Sequence, residues 1–202
     1  MTTADRIRRA DRELTWRLTA LRAPRLVTAL RHVGTASRHT KLWVGAAAVQ
    51  AALGGRPGRA SAFSGLLSLG VTQVLCNALA KQAYDRDRPP RSLVRHGDIA
   101  GRPGSSSFPS GHVAAATAYT SAVALRQPAV GAALTVPAAL VAVQRVQSGA
   151  HYGSDVLAGA VIGVLCTALT RRAPALLGGS GGPRRSLSRP GARGPWPRRR
   201  AG

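Results

Sequence analysis

Residues 153–170 read GSDVLAGAVIGVLCTALT, with one carboxylate, Asp155, near the start and then fifteen residues without a charge. A helix rises 1.5 Å per residue, so about 20 residues cross a 30 Å hydrocarbon layer, and this stretch is near that length. A soluble amphipathic helix would need a charged outer face, which is missing here. Small residues recur instead, including Gly159 and Gly163 in a GxxxG pair, the kind of spacing that lets membrane helices approach closely. Working outward, four further apolar stretches lie at about 42–54, 60–80, 109–125 and 128–144. The first is short for a span and can borrow Lys41 and Leu42 by snorkelling. The pattern predicts an all-α, multi-pass membrane helical bundle of about five spans.

The flanks differ sharply from this centre. The 202 residues carry 29 Lys+Arg against 7 Asp+Glu, a formal charge of +22. The mean hydropathy of −0.02 averages an apolar middle with arginine-rich ends. An acidic soluble enzyme is excluded, and so is a disulfide-stapled domain. The two cysteines, Cys76 and Cys166, each sit inside an apolar run and read as small hydrophobes. Residues 1–40 hold nine arginines interleaved with Ile7, Leu14, Leu18, Leu21, Leu26, Val27 and Leu30, and Pro24 lies midway. They read as one or two amphipathic basic helices. Arg17, Arg22 and Arg25 would each cost about 2.5–3.5 kcal/mol at the bilayer centre, so the segment is expected to lie in the interface. No compact apolar run follows its charges as a secretory signal would require. The tail, 173–202, contains the run Gly178-Gly179-Ser180-Gly181-Gly182 and then seven arginines. It is expected to be disordered and able to rest on anionic headgroups. The expected organisation is therefore an N-terminal segment 1–40, a membrane domain 41–172 and a tail 173–202.

Three clusters of reactive residues fall at ends of predicted spans. Lys81 leaves the second span and is followed seven residues later by Arg88-Pro89; Pro109-Ser110-Gly111-His112 opens the third; Arg145, His151 and Asp155 join the fourth to the fifth. Alternation of spans puts all three at one membrane face. That gathers three cations, two histidines, a carboxylate and a helix N-terminus, which is equipment for handling a phosphate. His151 and Asp155 are four apart, so on a helix they share a face and the carboxylate can hold one ring nitrogen as N–H. The other nitrogen is then presented as base or nucleophile. His112 can act as general acid toward a leaving alkoxide. Lys81, Arg88 and Arg145 would spread phosphoryl charge, and the backbone N–H groups near Ser110 and Gly111 add donors.

These residues resemble the type-2 phosphatidic acid phosphatase family, the lipid phosphate phosphatases, which share a site with vanadium-dependent haloperoxidases. The pattern of Lys, six residues, Arg-Pro; then Pro-Ser-Gly-His; then Arg, five residues, His, three residues, Asp is matched at Lys81, Arg88-Pro89, Pro109-Ser110-Gly111-His112, Arg145, His151 and Asp155. It departs at Gln144, where the family usually has Ser. The resemblance implies a metal-independent phosphatase without a cofactor, acting on a lipid phosphate or diphosphate. Phosphatidic acid, phosphatidylglycerol phosphate and a polyprenyl phosphate are the implied types. In that scheme His151 forms a phosphohistidine, His112 protonates the leaving group, Asp155 orients His151, and the protein resides in the plasma membrane.

Two other readings compete. A basic membrane-associated protein could use its charge to bind anionic lipid or nucleic acid, and deleting 173–202 would then destroy binding while leaving a phosphatase largely intact. Trp196 is the one aromatic residue in that tail, so base stacking has little to work with and specific nucleic-acid binding is not expected. A haloperoxidase would call for a larger soluble chain and bound vanadate.

Overall fold

The computed structural model describes residues 2–80, 82, 85–94 and 104–177. Seven α-helices make up most of it, and there is no strand among the described residues. Helix α1 (Thr3–Thr19) starts at a capping box in which the Thr2 hydroxyl accepts from Asp5 N and the Asp5 carboxylate accepts from Thr2 N. Helix α2 (Pro24–Ala36) opens on proline, whose missing N–H is no loss at a helix start. A single 3₁₀ turn (Arg38–Thr40) follows, with His39 and Thr40 both in the left-handed region at φ 51° and 60°. This reverses the chain into α3 (Lys41–Leu53), and α4 (Gly55–Leu75) returns and widens into a π turn (Cys76–Ala80). Then come α5 (Gly111–Ala124), α6 (Pro128–Gln147) and α7 (Gly153–Leu177).

Among the described residues three helical segments are long and apolar enough to cross a membrane: Gly55–Ala78, Pro128–Gln147 and Gly153–Arg172. The other two expected spans are shorter, with 13 residues in α3 and 14 in α5. Helix α5 is central. Its residues Val113–Ala116, Ala118–Thr120, Ala122 and Val123 are buried, with α7, α4 and α6 packed around it. Alanine suits that position, since lipid supplies no hydrophobic drive between helices and close contact must do the work. The core is built on Trp43, Leu69, Tyr119, Val123 and Val141, with the Trp43 and Tyr119 rings 5.5 Å apart. Polar pairs tie the helices inside: Gln50 Nε2 donates to the Tyr119 hydroxyl (2.7 Å), and the Ser68 and Thr167 hydroxyls meet at 2.8 Å. Large apolar side chains such as Leu53, Phe63, Val74, Leu157 and Leu169 point outward, as a lipid-facing surface requires. The described part is thus an all-α membrane bundle.

The N-terminal segment folds as two helices broken before Pro24, and α1 leans on α6 and α7. Its buried stripe is polar, Asp11, Thr15 and Thr19, while Ile7, Leu14 and Trp16 are exposed. At the other end α7 runs on to Leu177, so the first residues assigned to the tail, 173–177, are helical. The rest of that tail, 178–202, lies outside the described residues.

Candidate active site

A cavity of about 250 Å³ opens at one end of the bundle, lined among others by Arg88, Gly111, His112, Arg145 and His151. Five of the eight residues expected in the site therefore meet around one space. Lys81 lies outside the described residues. Ser110 and Asp155 sit just behind the lining, both fully buried.

The turn from α6 into α7 explains the Arg145-to-His151 spacing. Gly149 takes φ 66°, a conformation that costs glycine least, and its N–H donates to the Val146 carbonyl. The reversed chain then folds back so that the Ala150 and His151 N–H groups both donate to the Arg145 carbonyl, at 3.1 Å each. The imidazole of His151 is thereby brought over the end of the helix that carries the guanidinium.

His151 is not on the helix with Asp155. Helix α7 begins at Gly153, and the ring lies in the preceding turn, its Nδ1 bonded to the Ser107 backbone carbonyl at 2.6 Å. Asp155 Oδ2 is 3.9 Å from the same nitrogen. The direct partner of the ring is thus a loop carbonyl, and the carboxylate is a charge nearby. A carbonyl can only accept, so Nδ1 carries the hydrogen and Nε2 is left with its lone pair. Burial, together with the Arg88, Arg145 and His112 charges and against the Ser107 bond, holds the His151 pKa down at about 3. The imidazole is neutral at neutral pH.

The cations are fixed in different ways. Arg88 Nη1 donates to the Ala150 carbonyl (2.7 Å), and its Nε and Nη2 donate to the Ser105 carbonyl, which ties the loop before α5 to the turn before α7. Arg145 Nε donates to the Gln144 side-chain oxygen at 2.6 Å. Gln144, where a serine was expected, thus holds its neighbouring cation, and its amide lies against Gly34 of α2.

One expected donor is otherwise engaged. The Ser110 N–H donates to the Asp155 carbonyl at 3.0 Å, which pins the start of α5 to α7 and takes that group away from a ligand. The Ser110 hydroxyl is buried with no partner among the described residues. Gly111 and His112 occupy the first two positions of α5, where backbone N–H groups lack helical acceptors and the dipole is positive.

Residues that the sequence did not single out also build the site. Ser107 supplies the carbonyl for His151. Gln73 and Asn77, one turn apart on α4 and its π extension, line the cavity, as do His39 and Thr40 from the left-handed turn. The Gln73 side-chain oxygen is buried without a partner among the described residues. Arg86 pairs with Asp155 (2.6 Å) and with Asp11 of α1 (2.9 Å). Burial opposes the charge on Arg86, but these two carboxylates outweigh it and hold its pKa above the ordinary value. Among the described residues no three His, Cys, Asp or Glu side chains converge as metal ligands would.

The profile of the PAP2 superfamily matches residues 61–177, more than half of the chain and all of α5, α6 and α7. The chain belongs to the PAP2 superfamily. This PAP2 protein is 35% identical over 112 residues to lipid A 1-phosphatases of Rhizobium johnstonii and Rhizobium etli, covering 54% of its own chain. It spans less than half the length of those relatives, 42% and 44%. Its fold is that of two solved structures, each 23% identical. Aquifex aeolicus LpxE matches with TM-score 0.65 over 79% of this chain and 93% of that one. The transmembrane PAP2 type phosphatidylglycerolphosphate phosphatase of Bacillus subtilis matches with TM-score 0.64 over 87% and 89%.

Proposed function

We propose that this PAP2 protein is a metal-independent phosphatase of the plasma membrane that hydrolyses a lipid phosphate or diphosphate through a phosphohistidine on His151. The observation that carries this is the state of that ring. It is buried and neutral, its Nδ1 is committed to the Ser107 carbonyl, and it lines a cavity shared with two fixed arginines and His112. A neutral imidazole with one nitrogen held as N–H is a nucleophile at the other.

In the reaction Nε2 of His151 attacks phosphorus as the bond from phosphorus to the leaving oxygen breaks, and protonated His112 gives its proton to that oxygen. The phosphorylated ring keeps its Nδ1 hydrogen on the Ser107 carbonyl and carries a positive charge, which faces the Asp155 carboxylate. Water then attacks phosphorus, His112 takes a proton from it, and the P–N bond breaks to release inorganic phosphate. Arg88, Arg145 and the first N–H groups of α5 stabilise the equatorial oxygens, whose charge grows in the transition state. Lys81 is assigned to the same role from its place in the motif, and the buried Ser110 hydroxyl is a further donor.

The lipid nature of the substrate rests on the surroundings. At about 250 Å³ the cavity is below the size of typical small-molecule pockets. It suits a phosphorylated headgroup whose tails stay in the bilayer against the outward apolar side chains. The phosphatidic acid, phosphatidylglycerol phosphate and polyprenyl phosphate types all meet that requirement, and the names of the relatives point to lipid phosphates as well. The competing basic-binder reading has no use for a buried neutral histidine.

The test is phosphate release from phosphatidic acid, phosphatidylglycerol phosphate and undecaprenyl mono- and diphosphate by the purified protein in detergent with EDTA, beside His151→Ala. Release that survives EDTA and is lost in the variant is expected. Normal turnover by a folded His151→Ala protein overturns the reading.

A further inference from the structure

Behind His151, a partly buried cluster joins the N-terminal helix to the base of α7. Its centre is Asp11, one of three acids on a helix crowded with arginines and the one that turns inward, at 5% exposure. Asp11 Oδ1 accepts from Ser154 N (2.8 Å), and Oδ2 accepts from the Ser154 hydroxyl (2.6 Å) and from Arg86 Nη2 (2.9 Å). The other end of the guanidinium, Nη1, donates to Asp155 Oδ1 at 2.6 Å and to the Ser154 hydroxyl at 2.7 Å, and the group stacks 4.3 Å above the Tyr152 ring. Asp155 Oδ2 accepts from Tyr152 N (2.9 Å) and faces His151 Nδ1.

The phosphatase chemistry calls for Asp155 alone; it does not explain why an arginine neutralises that carboxylate. Asp11 does. Two carboxylates and one guanidinium leave the cluster with one negative charge in excess, directly behind a ring that becomes positive when phosphorylated. Without Asp11, Arg86 would cancel the charge of Asp155 at the moment it is needed. A lone buried carboxylate would also tend to take up a proton, and the Arg86 guanidinium opposes that.

We propose that Asp11 and Arg86 are positioning residues for phosphohistidine formation: they fix the Asp155 carboxylate as an oriented anion behind His151, which makes α1 part of the catalytic unit. The assignment rests on the phosphatase reading above and extends it to a segment outside the matched 61–177 region.

The experiment compares wild type, His151→Ala, Asp11→Asn, Asp11→Glu and Arg86→Lys as full-length proteins in detergent, with kcat and KM for the best lipid phosphate and a melting curve for each. Release by wild type that is lost in His151→Ala establishes the phosphatase reading independently of Asp11. Asparagine keeps the shape of Asp11 and its acceptor for Ser154 N but removes the charge. The expected result for Asp11→Asn is a kcat lower by about ten-fold or more with KM within about two-fold, since only the transition state gains the ring charge. Asp11→Glu restores the charge and should recover part of that loss. A folded Asp11→Asn protein with wild-type kcat overturns the proposal. So does an Asp11→Glu variant no better than Asp11→Asn, because a merely structural contact would not follow the charge. If Asp11→Asn fails to fold, Arg86→Lys serves: it keeps the charge but cannot bridge both carboxylates, so kcat should fall with KM retained, and unchanged kcat overturns the assignment.

Discussion

Gly159 on α7 is the point where the two halves of the site press together, and an added methyl there tests the geometry. A Cβ at Gly159 would lie 2.5 Å from the Ser110 carbonyl oxygen and 3.3 Å from Ala114 N, both backbone atoms that cannot rotate aside. Relieving 2.5 Å to an ordinary contact of 3.4 Å separates α7 from the start of α5 by about 0.9 Å. Ser110 is also bonded through its N–H to the Asp155 carbonyl, so that displacement moves Gly111 and His112 relative to His151. A misplacement near 1 Å costs on the order of 10²-fold in rate, and overpacking costs about 1–3 kcal/mol in stability. Gly159→Ala should therefore lower kcat by about a hundred-fold. Gly163→Ala is the matched control. Its Cβ would meet the Ala114 carbonyl at the same 2.5 Å and Ala118 N and Thr117 Cβ at 2.9 Å, so it is at least as crowded, but a turn farther from His112. It should lower the melting temperature as much while lowering kcat by less than about ten-fold. Gly70, where a Cβ meets nothing within 4 Å, should accept alanine without loss of either. Phosphate release and thermal melting in one detergent read all three. A Gly159→Ala protein with wild-type kcat, or a Gly163→Ala protein equally impaired, would refute the claim that this contact sets the catalytic geometry.

Two further outcomes follow from buried side chains. His151 takes its proton near pH 3 when folded and near 6.5 when unfolded, so as pH falls the unfolded chain binds the proton first. Stability is then full above about pH 6.5 and is lost progressively as pH falls toward 3, so His151→Gln should show a smaller drop in melting temperature between about pH 7 and pH 5 than wild type. Equal drops would contradict the buried neutral ring. At Gln144, serine should release Arg145 Nε and open a space beside Gly34, whose Cβ would lie 2.7 Å from the Gln144 amide nitrogen. Gln144→Ser should raise KM several-fold, and Gly34→Ala should destabilise wild type but not Gln144→Ser, with a coupling of about 1 kcal/mol by melting. Additive effects of the two substitutions would rule that contact out.

The site was legible in the sequence where it depends on spacing and illegible where it depends on backbone or on distant pairing. Arg88, Gly111, His112, Arg145 and His151 could be placed at one end of the bundle because alternation of apolar stretches fixes which helix ends are neighbours. The link between His151 and Asp155 was read from a four-residue interval that presumes a helix. Helix α7 starts two residues after His151, so the ring turns to the Ser107 carbonyl, an acceptor that every residue type possesses and no motif can mark. The donor expected at Ser110 failed for a similar reason, since its N–H is consumed in joining α5 to α7. Length alone marks three of the expected spans among the described residues, Gly55–Ala78, Pro128–Gln147 and Gly153–Arg172. Helix α5, an expected span of 14 residues, falls below that length, and its neighbours bury most of it.

Asp11 is the harder case, and it shows what kind of signal is missed. It lies 75 residues from Arg86 and 143 from Ser154, and its helix looks like a basic surface element. The one hint was a stripe of small polar residues, Asp11, Thr15 and Thr19, at intervals of four. On a helix whose apolar residues are exposed, such a stripe marks the side turned toward protein, because polar groups there must find partners. Thr15 and Thr19 satisfy theirs on α1 carbonyls, and Thr19 also reaches the Leu93 carbonyl. A carboxylate has no such local option: it accepts only and is costly to bury unpaired. An aspartate within a buried polar stripe therefore implies a cation on the surface it meets, and Arg86 supplies it between the two motif positions Lys81 and Arg88.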